Sequence, residues 1–157
     1  MASERDLDWM AVALAEADQA ALHADVPIGC VVVSASGDEL SRDHNRREAL
    51  ADPTAHAEVL ALKSAAARLG TWRLEGATVY STLEPCPMCA GALVLSRIAR
   101  LVYAARDPKA GAIDSLFTLG TDSRLNHTFV VEREVLAEQS RERLSAFFKA
   151  LRAEGQK

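Results

Sequence analysis

The sequence predicts an α/β fold, a sandwich of helices on a mixed β-sheet of five strands. Two observations support this prediction. Strand-like runs alternate with longer segments of helical periodicity, and the first two runs are separated by a short turn, as in a β-hairpin. At 157 residues, 49% of them apolar and 25% charged, the chain has the size and composition of one globular domain spanning residues 1–157.

The first half of the chain is predicted to form one helix and the two strands of the hairpin, over residues 5–23, 29–34 and 39–45. Leu7, Met10 and Leu14 recur near one face of the helix, and Pro27 follows its end. Residues 35–38, with the sequence Ala-Ser-Gly-Asp, have the composition of a turn between two strands. The valine-rich first strand indicates a buried position in the sheet.

The second half is predicted to form three helices, over residues 52–69, 86–98 and 135–153, and three strands, over residues 77–82, 101–105 and 128–132. Asp52 and Pro53 are typical of a helix start, and Gly70 is typical of a helix end. Residues 107–127 have a mixed composition that favours loops with a short helical turn. Strands therefore alternate with helices after the opening hairpin.

Composition also limits the cellular context. No run of about 18 apolar residues predicts a membrane span, and the N-terminus lacks the pattern of a secretory signal. Three cysteines, two of them in one motif, do not suggest a disulfide framework, so we expect a reducing cytoplasm. Cys30, in the first strand, is predicted to be a packed core thiol. Met88, Phe147 and Phe148 are interpreted as core packing.

Two short motifs carry the chemistry. His56 and Glu58 form a His-Ala-Glu segment, and Cys86 and Cys89 form a Pro-Cys-Pro-Met-Cys segment. One imidazole and two thiols are three zinc ligands, and catalytic zinc sites keep the fourth position open for water. A lone Cys-x-x-Cys pair would also fit a redox pair or half of a zinc knuckle. Together and in this order, the motifs are typical of zinc-dependent nucleobase deaminases.

The spacing explains how these residues could act together. Cys86 and Cys89 are three residues apart at a predicted helix start, so that both sulfurs face one point and the helix terminus favours thiolates. His56 and Glu58 can share a pocket only if it lies over the end of their helix. Glu58 is then the predicted general acid and base, moving a proton between water and substrate. A purely structural zinc site is the alternative.

The segments VPIGCVVV, DPTAHAEVLAL, TLEPCPMCAGALVLSRI and ARDPKAGA extend these motifs. Through them the chain resembles the bacterial tRNA-specific adenosine deaminases, within the cytidine and deoxycytidylate deaminase superfamily. The resemblance implies a three-layer α/β/α sandwich, a homodimer, and one zinc ion per subunit. It also implies that the wobble adenosine of an arginine tRNA anticodon is converted to inosine.

The resemblance further suggests substrate contacts, at Asn45, Asp107, Asn126 and Phe147. His127 is as consistent with an ordinary loop histidine as with a site residue. Two rival functions remain open. One is a deaminase of a free nucleobase or nucleoside of the guanine or cytosine type, and the other is a non-catalytic, zinc-stabilised RNA-binding subunit, against which Glu58 argues.

The charge distribution bears on the choice between these substrates. The formal net charge of −4 does not by itself indicate nucleic-acid binding. Residues 97–109, however, hold four basic residues and one acidic residue, and Arg46 and Arg47 follow Asn45. We expect these basic side chains to form a phosphate-contacting patch beside the zinc pocket. The alternative is a solvated surface without a ligand.

Overall fold

A five-stranded mixed sheet forms the centre of the protein in the computed structural model, which describes residues 2–155. The helices are α1 (Glu4–Ala21), α2 (Arg47–Leu50), α3 (Ala57–Leu69), α4 (Pro87–Leu95) and α5 (Ala137–Ala153), with a 3₁₀ turn at Leu119–Thr121. The strands are β1 (Gly29–Val33), β2 (Glu39–His44), β3 (Thr78–Leu83), β4 (Arg100–Ala105) and β5 (Val130–Glu132).

The strand order is β2-β1-β3-β4-β5. The first strand pairs antiparallel with both of its neighbours, whereas β3, β4 and β5 run parallel to one another. The predicted hairpin and the predicted mixed sheet are therefore confirmed. Parallel strands require a crossover, and α4 supplies the one between β3 and β4.

Helices cover both faces of the sheet, which confirms the predicted three-layer architecture. One face packs against α3 and α4, with Leu62 and Leu93 buried against the strands. The other face packs against α1 and the segment that enters α5, with Met10 and Val135 in that core. Cys30 is fully buried in the first of these cores, so its predicted role as a packed thiol is confirmed. No helix within residues 2–155 combines the length and the apolar character that crossing a membrane requires.

A buried ion pair anchors α1 at the end of the sheet where β4 begins. Ser3 caps the helix by accepting a hydrogen bond from the Asp6 backbone N–H, and the Asp6 carboxylate accepts one from the Ser3 N–H. Arg100 donates hydrogen bonds to both carboxylate oxygens of Asp6 at 2.7 Å, and the Tyr80 hydroxyl donates to Oδ1 of Asp6 at 2.9 Å. Every oxygen of this buried carboxylate therefore has a partner.

The predicted start of the helix over residues 52–69, which corresponds to α3, is wrong. Asp52 and Pro53 form a turn instead, in which the Asp52 side chain accepts hydrogen bonds from the Thr54 backbone N–H and hydroxyl, both at 2.8 Å. The helix begins at Ala57, with His56 as its extended N-cap residue. Aspartate competes for local backbone donors, and here the turn prevails over helix initiation.

Other differences concern short elements and exposure. The four-residue helix α2 was not predicted, because it has no apolar periodicity and no side-chain cap of its own. The last strand is shorter than predicted, since the Phe129 N–H donates to Gly120 rather than joining the sheet. The interpretation of Met88 and Phe148 as core residues is also wrong, because they are 36% and 41% exposed.

Candidate active site

The N-termini of two helices bring the motif residues together. His56 is the N-cap residue of α3 and Glu58 lies in its first turn, while Cys86 is the N-cap residue of α4 and Cys89 lies in its first turn. Pro87 at the first position of α4 favours this helix start, since it lacks the N–H that would be left unpaired there. The predicted placement of the pocket over a helix end is thus correct, although the helix begins later than predicted.

The geometry of the three ligand atoms fits a zinc ion. The Sγ atoms of Cys86 and Cys89 each lie 3.5 Å from Nδ1 of His56, and the three atoms all lie within 4.8 Å of one another. Tetrahedral zinc with ordinary Zn–S and Zn–N bond lengths would separate sulfur and nitrogen ligands by about 3.5 Å. Glu58 is not part of this cluster, which leaves a fourth position without a protein ligand.

The two thiols have unequal affinities for a proton. A hydrogen bond from Cys89 lowers the pKa of Cys86 to about 4, although burial opposes this shift. The same hydrogen bond, together with burial, raises the pKa of Cys89. The pair therefore holds one thiolate readily, and a coordinated metal ion removes the second proton by its own charge.

Glu58 differs from the other buried carboxylates in its hydrogen bonding. It is 4% exposed, and its Oε1 is the one buried side-chain oxygen or nitrogen within residues 2–155 that has no hydrogen-bond partner. Burial raises the pKa of Glu58. An unpartnered buried acceptor costs about 1–3 kcal/mol. This oxygen therefore points to a water molecule or substrate group as its partner in the working site.

A pocket of about 210 Å³ surrounds these groups. His56, Glu58 and Cys86 lie on one side, and Val26 and Ile28 add an apolar wall. The remaining lining includes two of the predicted substrate-binding residues and two of their neighbours: Asn45, Arg47, Asp107 and Ala110. A small, largely apolar pocket with a few convergent polar groups is what a nucleobase requires.

Asn45 is held rigidly at the pocket edge. It is 3% exposed, its amide Nδ2 donates to the Val26 carbonyl at 3.3 Å, and its Oδ1 accepts from the Arg47 N–H at 3.2 Å. Asp25, which sequence reasoning missed, supports the same region by accepting hydrogen bonds from the N–H groups of Glu48 and Ala49. It thereby supplies α2 with the cap that its own sequence lacks.

The other predicted substrate-binding residues differ in whether they reach the pocket. The Asp107 carboxylate accepts from the N–H groups of Lys109 and Ala110, and Asp107 lines the pocket. Asn126 is exposed and lies outside the pocket lining. His127 Nε2 donates to the Ile98 carbonyl at 2.6 Å, which is a structural contact. The structure therefore brings Asn45 and Asp107 to the zinc ligands but does not bring Asn126 there.

Phe147 lines a second groove, of about 450 Å³, that adjoins the pocket. Its ring meets Phe148 edge-on, with 5.4 Å between the ring centroids. Val26, Asn45 and Arg47 line both the groove and the zinc pocket, so the two cavities share one wall. A substrate longer than a single base could therefore occupy both.

The predicted basic patch is wrong in its position. Arg97 follows the C-terminal end of α4, the end away from Cys86, where its guanidinium lies 5.7 Å from the ring centre of Trp72. Arg100 is committed to Asp6 at the start of β4, and Arg106 pairs with Glu134. Closeness in sequence did not translate into closeness in space, because β4 carries these residues along the length of the sheet.

Arg47 is the basic residue that lines the pocket and the groove. Its neighbour Arg46 pairs with Asp43, with 2.7 Å between Nε and Oδ1. Arg47 is exposed, so its charge is available at the pocket mouth. Lys109 is also exposed and lies between the pocket-lining residues Asp107 and Ala110. The local positive charge therefore rests on Arg47 and Lys109 and not on Arg97 or Arg100.

The three-layer fold and the His/Cys/Cys cluster with its adjacent glutamate define a zinc-dependent deaminase. The chain belongs to the cytidine and deoxycytidylate deaminase family, whose zinc-binding region matches residues 3–105.

Individual proteins that are similar to this chain have more specific names than the family does. A tRNA-specific adenosine deaminase of Bacillus subtilis (strain 168) is 49% identical over 144 residues, covering 92% of this chain and 89% of that protein. One of Aquifex aeolicus (strain VF5) is 48% identical, covering 92% of this chain and 94% of that protein. A solved structure from a study of A-to-I editing by tRNA:A34 deaminases is 42% identical, covers 87% of this chain and 99% of that chain, and has a TM-score of 0.84.

Proposed function

We propose that this protein is a zinc-dependent hydrolase that converts the wobble adenosine of a tRNA anticodon, of the arginine tRNA in particular, to inosine. His56, Cys86 and Cys89 would hold the zinc ion. The observation that carries the chemistry is the buried, unpartnered Oε1 of Glu58 in the pocket of the three ligand atoms. The proposed substrate is supported by the similarity to tRNA-specific adenosine deaminases over most of the chain.

Hydrolytic deamination replaces the exocyclic amino group of the base with oxygen from water and releases ammonia. Zinc, when bound, supplies the Lewis acidity that activates the water near neutral pH. Glu58 accepts one proton from the attacking water and delivers it to a ring nitrogen of the base. It then transfers the second proton, from the hydroxyl that has been added to the base, to the amino group, which departs as ammonia. The raised pKa of this buried carboxyl suits both halves of the transfer. Asn45, fixed by its contacts with Val26 and Arg47, orients the base by hydrogen bonding.

The groove beside the pocket supports an anticodon stem-loop as substrate. A base must leave its stack to reach the pocket, and an anticodon loop presents bases that are already unstacked. Phe147 and Phe148 offer aromatic surface for neighbouring bases, and Arg47 offers a charge for a phosphate group. These features support a substrate-binding role for Phe147 and Arg47, together with Asp107 at the pocket wall.

The test is inosine sequencing of tRNA after incubation with the purified, zinc-loaded protein. We expect inosine at the wobble position of the arginine tRNA, and none with Glu58→Ala. Guanine, cytosine, cytidine and adenosine are assayed in parallel for ammonia release. Turnover of a free base or nucleoside without tRNA editing would reject this proposal in favour of the rival deaminase. Tight tRNA binding without turnover by the wild type would favour a non-catalytic subunit.

A homodimer is proposed from an exposed apolar face. Met88 and Leu95 lie on one side of α4, and Leu116 and Phe117 precede the 3₁₀ turn that packs on this helix. All four are at least 36% exposed, and exposed apolar side chains that cluster on one face of a protein mark interfaces. Light scattering should give a dimer mass for the wild type and a monomer mass for Leu95→Glu. The control is Leu22→Glu, at a more exposed leucine directly after α1, which should leave the dimer intact.

The proposed substrate also favours a cytoplasmic location, because tRNA is used there. Likewise we propose that residues 1–157 act as a single deaminase domain. The two hydrophobic cores lie on opposite faces of one sheet, and helices from both halves of the chain contribute to them. Fractionation of cells expressing the tagged protein tests the location, and a single cooperative unfolding transition tests the domain.

A further inference from the structure

Glu84 is a buried carboxylate between β3 and the cysteine motif, and it is 1% exposed. Its Oε1 accepts hydrogen bonds from the Asp107 N–H at 3.0 Å and the Ser115 hydroxyl at 2.5 Å. Its Oε2 accepts from three backbone N–H groups, those of Ile113 at 3.1 Å, Asp114 at 2.8 Å and Ser115 at 2.9 Å. Within residues 2–155, no lysine or arginine forms an ion pair with it. One side chain thus accepts hydrogen bonds from several backbone groups of one loop.

The loop formed by residues 107–115 wraps closely around this carboxylate. A Cβ at Gly111 would lie 2.3–2.5 Å from the Glu84 carboxylate atoms, so only glycine fits there without a shift. The Gly111 N–H donates to the Asp107 carbonyl, and the Ala112 N–H donates to the Pro85 carbonyl, both at 2.8 Å. The loop therefore closes on itself and also on the cysteine motif.

The same loop forms one wall of the zinc pocket. Asp107 and Ala110 line the same pocket as His56 and Glu58. Glu84 also borders the pocket, but its oxygens are occupied by the loop. It therefore affects a substrate through the loop and not by its own contact with the reacting atoms.

We propose that Glu84 is a positioning residue that fixes loop 107–115 as the substrate-binding wall of the pocket. The inference rests on the proposed function, because it assigns the loop to the binding of the same RNA substrate. Glu84 stands two residues before Cys86, so one short segment carries a zinc ligand and the anchor of the loop. The position of the loop relative to Cys86 is thereby set by local backbone geometry.

The main test is Glu84→Gln in the zinc-loaded protein. The amide replaces one acceptor oxygen with an NH₂ group, and so at least one backbone hydrogen bond is lost together with the negative charge, while the Ser115 hydroxyl can turn to accept from the amide. We expect KM for an anticodon stem-loop to rise at least about tenfold with kcat within about threefold, the pattern of lost uniform binding. Zinc content should stay at one per chain, and hydrogen exchange of the amides in residues 107–115 should accelerate.

The control variant is Asp6→Asn, which alters another buried carboxylate with every oxygen hydrogen-bonded, at the opposite end of the sheet. It should destabilise the protein while KM and exchange in the loop stay at wild-type values. Gly111→Ala and Ser115→Ala test the same contact with Glu84 intact, should Glu84→Gln fail to fold. Ser115→Ala removes a single hydroxyl donor, so a smaller rise in KM, about threefold, is expected.

Two results would overturn the inference. One is a Glu84→Gln protein with wild-type KM and wild-type exchange in residues 107–115. The other is loss of zinc with a fall in kcat at unchanged KM, which would mean that Glu84 supports Cys86 and not the loop. If the wild type fails to edit the stem-loop, the proposed function fails. The exchange measurement still decides in that case whether Glu84 fixes the loop.

Discussion

Buried carboxylates occupy both ends of the sheet, and they differ in how fully they are hydrogen-bonded. At the start of β4, Asp6 accepts hydrogen bonds from Arg100 and Tyr80 as well as from the backbone. At the helix termini on the other side, Glu58 is about as deeply buried, yet its Oε1 has no partner. The first carboxylate is arranged for stability, and the second is arranged to receive something that the folded chain does not supply.

This difference separates structural from catalytic groups without reference to their position in a motif. A saturated buried charge contributes to stability and loses that contribution when a partner is removed. An unsatisfied one costs stability and is retained because it acts on a ligand. Glu84 belongs to the saturated class although it adjoins the active site, which is why we assign it to positioning.

Removal of a zinc ligand should have the largest effect on the active-site end. Cys86→Ala takes away one of three ligand atoms and the thiolate of lowest pKa. We expect elemental analysis to show loss of most of the zinc, and deaminase activity to fall by at least about 10³-fold, since the metal supplies several kcal/mol of transition-state stabilisation. Cys30→Ala is the matched control, because that thiol is buried in the core and is not one of the three ligand residues. A Cys86→Ala protein that kept stoichiometric zinc would contradict the ligand assignment.

Replacement of Glu58 should separate chemistry from folding. Glu58→Gln preserves shape and removes the ability to take up and release a proton, so kcat should fall by at least about 10²-fold. Because it removes a charge that is buried and only partly hydrogen-bonded, the melting temperature should stay the same or rise. Zinc analysis, calorimetry and single-turnover kinetics measure the three properties on one preparation. Activity within a few-fold of wild type would rule out the proton-transfer role.

Replacement of Asp6 should give the opposite result. Asp6→Asn removes the closest charged partner of the half-buried Arg100 guanidinium and leaves it with the Glu132 carboxylate at 4.0 Å, which costs about 3 kcal/mol, the low end for breaking a buried pair. For a domain of this size, that corresponds to a fall in melting temperature of roughly 6–12 °C. Zinc content and kcat at 25 °C should remain at wild-type values. A variant that lost activity in proportion to its stability would blur the distinction between the two ends of the sheet.

Much of this architecture could be predicted from the sequence, because it follows from local patterns. Valine-rich strands, the hairpin turn and the two metal motifs depend on near neighbours, and the structure confirms the strands and the clustering of His56, Cys86 and Cys89. The roles of Asp25 and Glu84 could not be predicted in the same way. Each accepts hydrogen bonds from backbone groups more than 20 residues away, and a backbone donor leaves no mark on residue type.

The error in the position of the basic patch has the same origin. Residues 97–109 run from the end of α4 through the whole of β4, so their charges are spread from one end of the sheet to the other. The prediction of a single basic patch took these charges to lie on one surface.

The role of Glu84 did have a signal in the sequence. It is an acidic residue between an apolar strand and a metal motif, and burying a carboxylate there is costly unless several hydrogen-bond donors surround it.

The smallest expected effect is the pH dependence of the stability that Asp6 contributes. Hydrogen bonds from Arg100 hold the pKa of Asp6 well below its usual range, although burial opposes the shift. A carboxyl whose pKa is lower in the folded state than in the unfolded chain stabilises the fold above the unfolded value of about 3.9. That contribution is lost as the pH falls below this value, by at most about 1.4 kcal/mol per pH unit.

The measurement is the difference in melting temperature between wild type and Asp6→Asn at pH 7, 5, 4 and 3. The difference should be constant from pH 7 to about pH 5, where Asp6 is ionised in both the folded and the unfolded chain. It should then narrow toward pH 3, because Asp6 takes up a proton in the unfolded wild-type chain while it stays ionised in the folded protein, and the variant has no such group. Other carboxyl groups and the zinc ligands titrate in both proteins, so their effects cancel in the difference. A gap that stayed constant down to pH 3 would mean that the charge of Asp6 does not stabilise this end of the sheet, and that its hydrogen bonds act independently of ionisation.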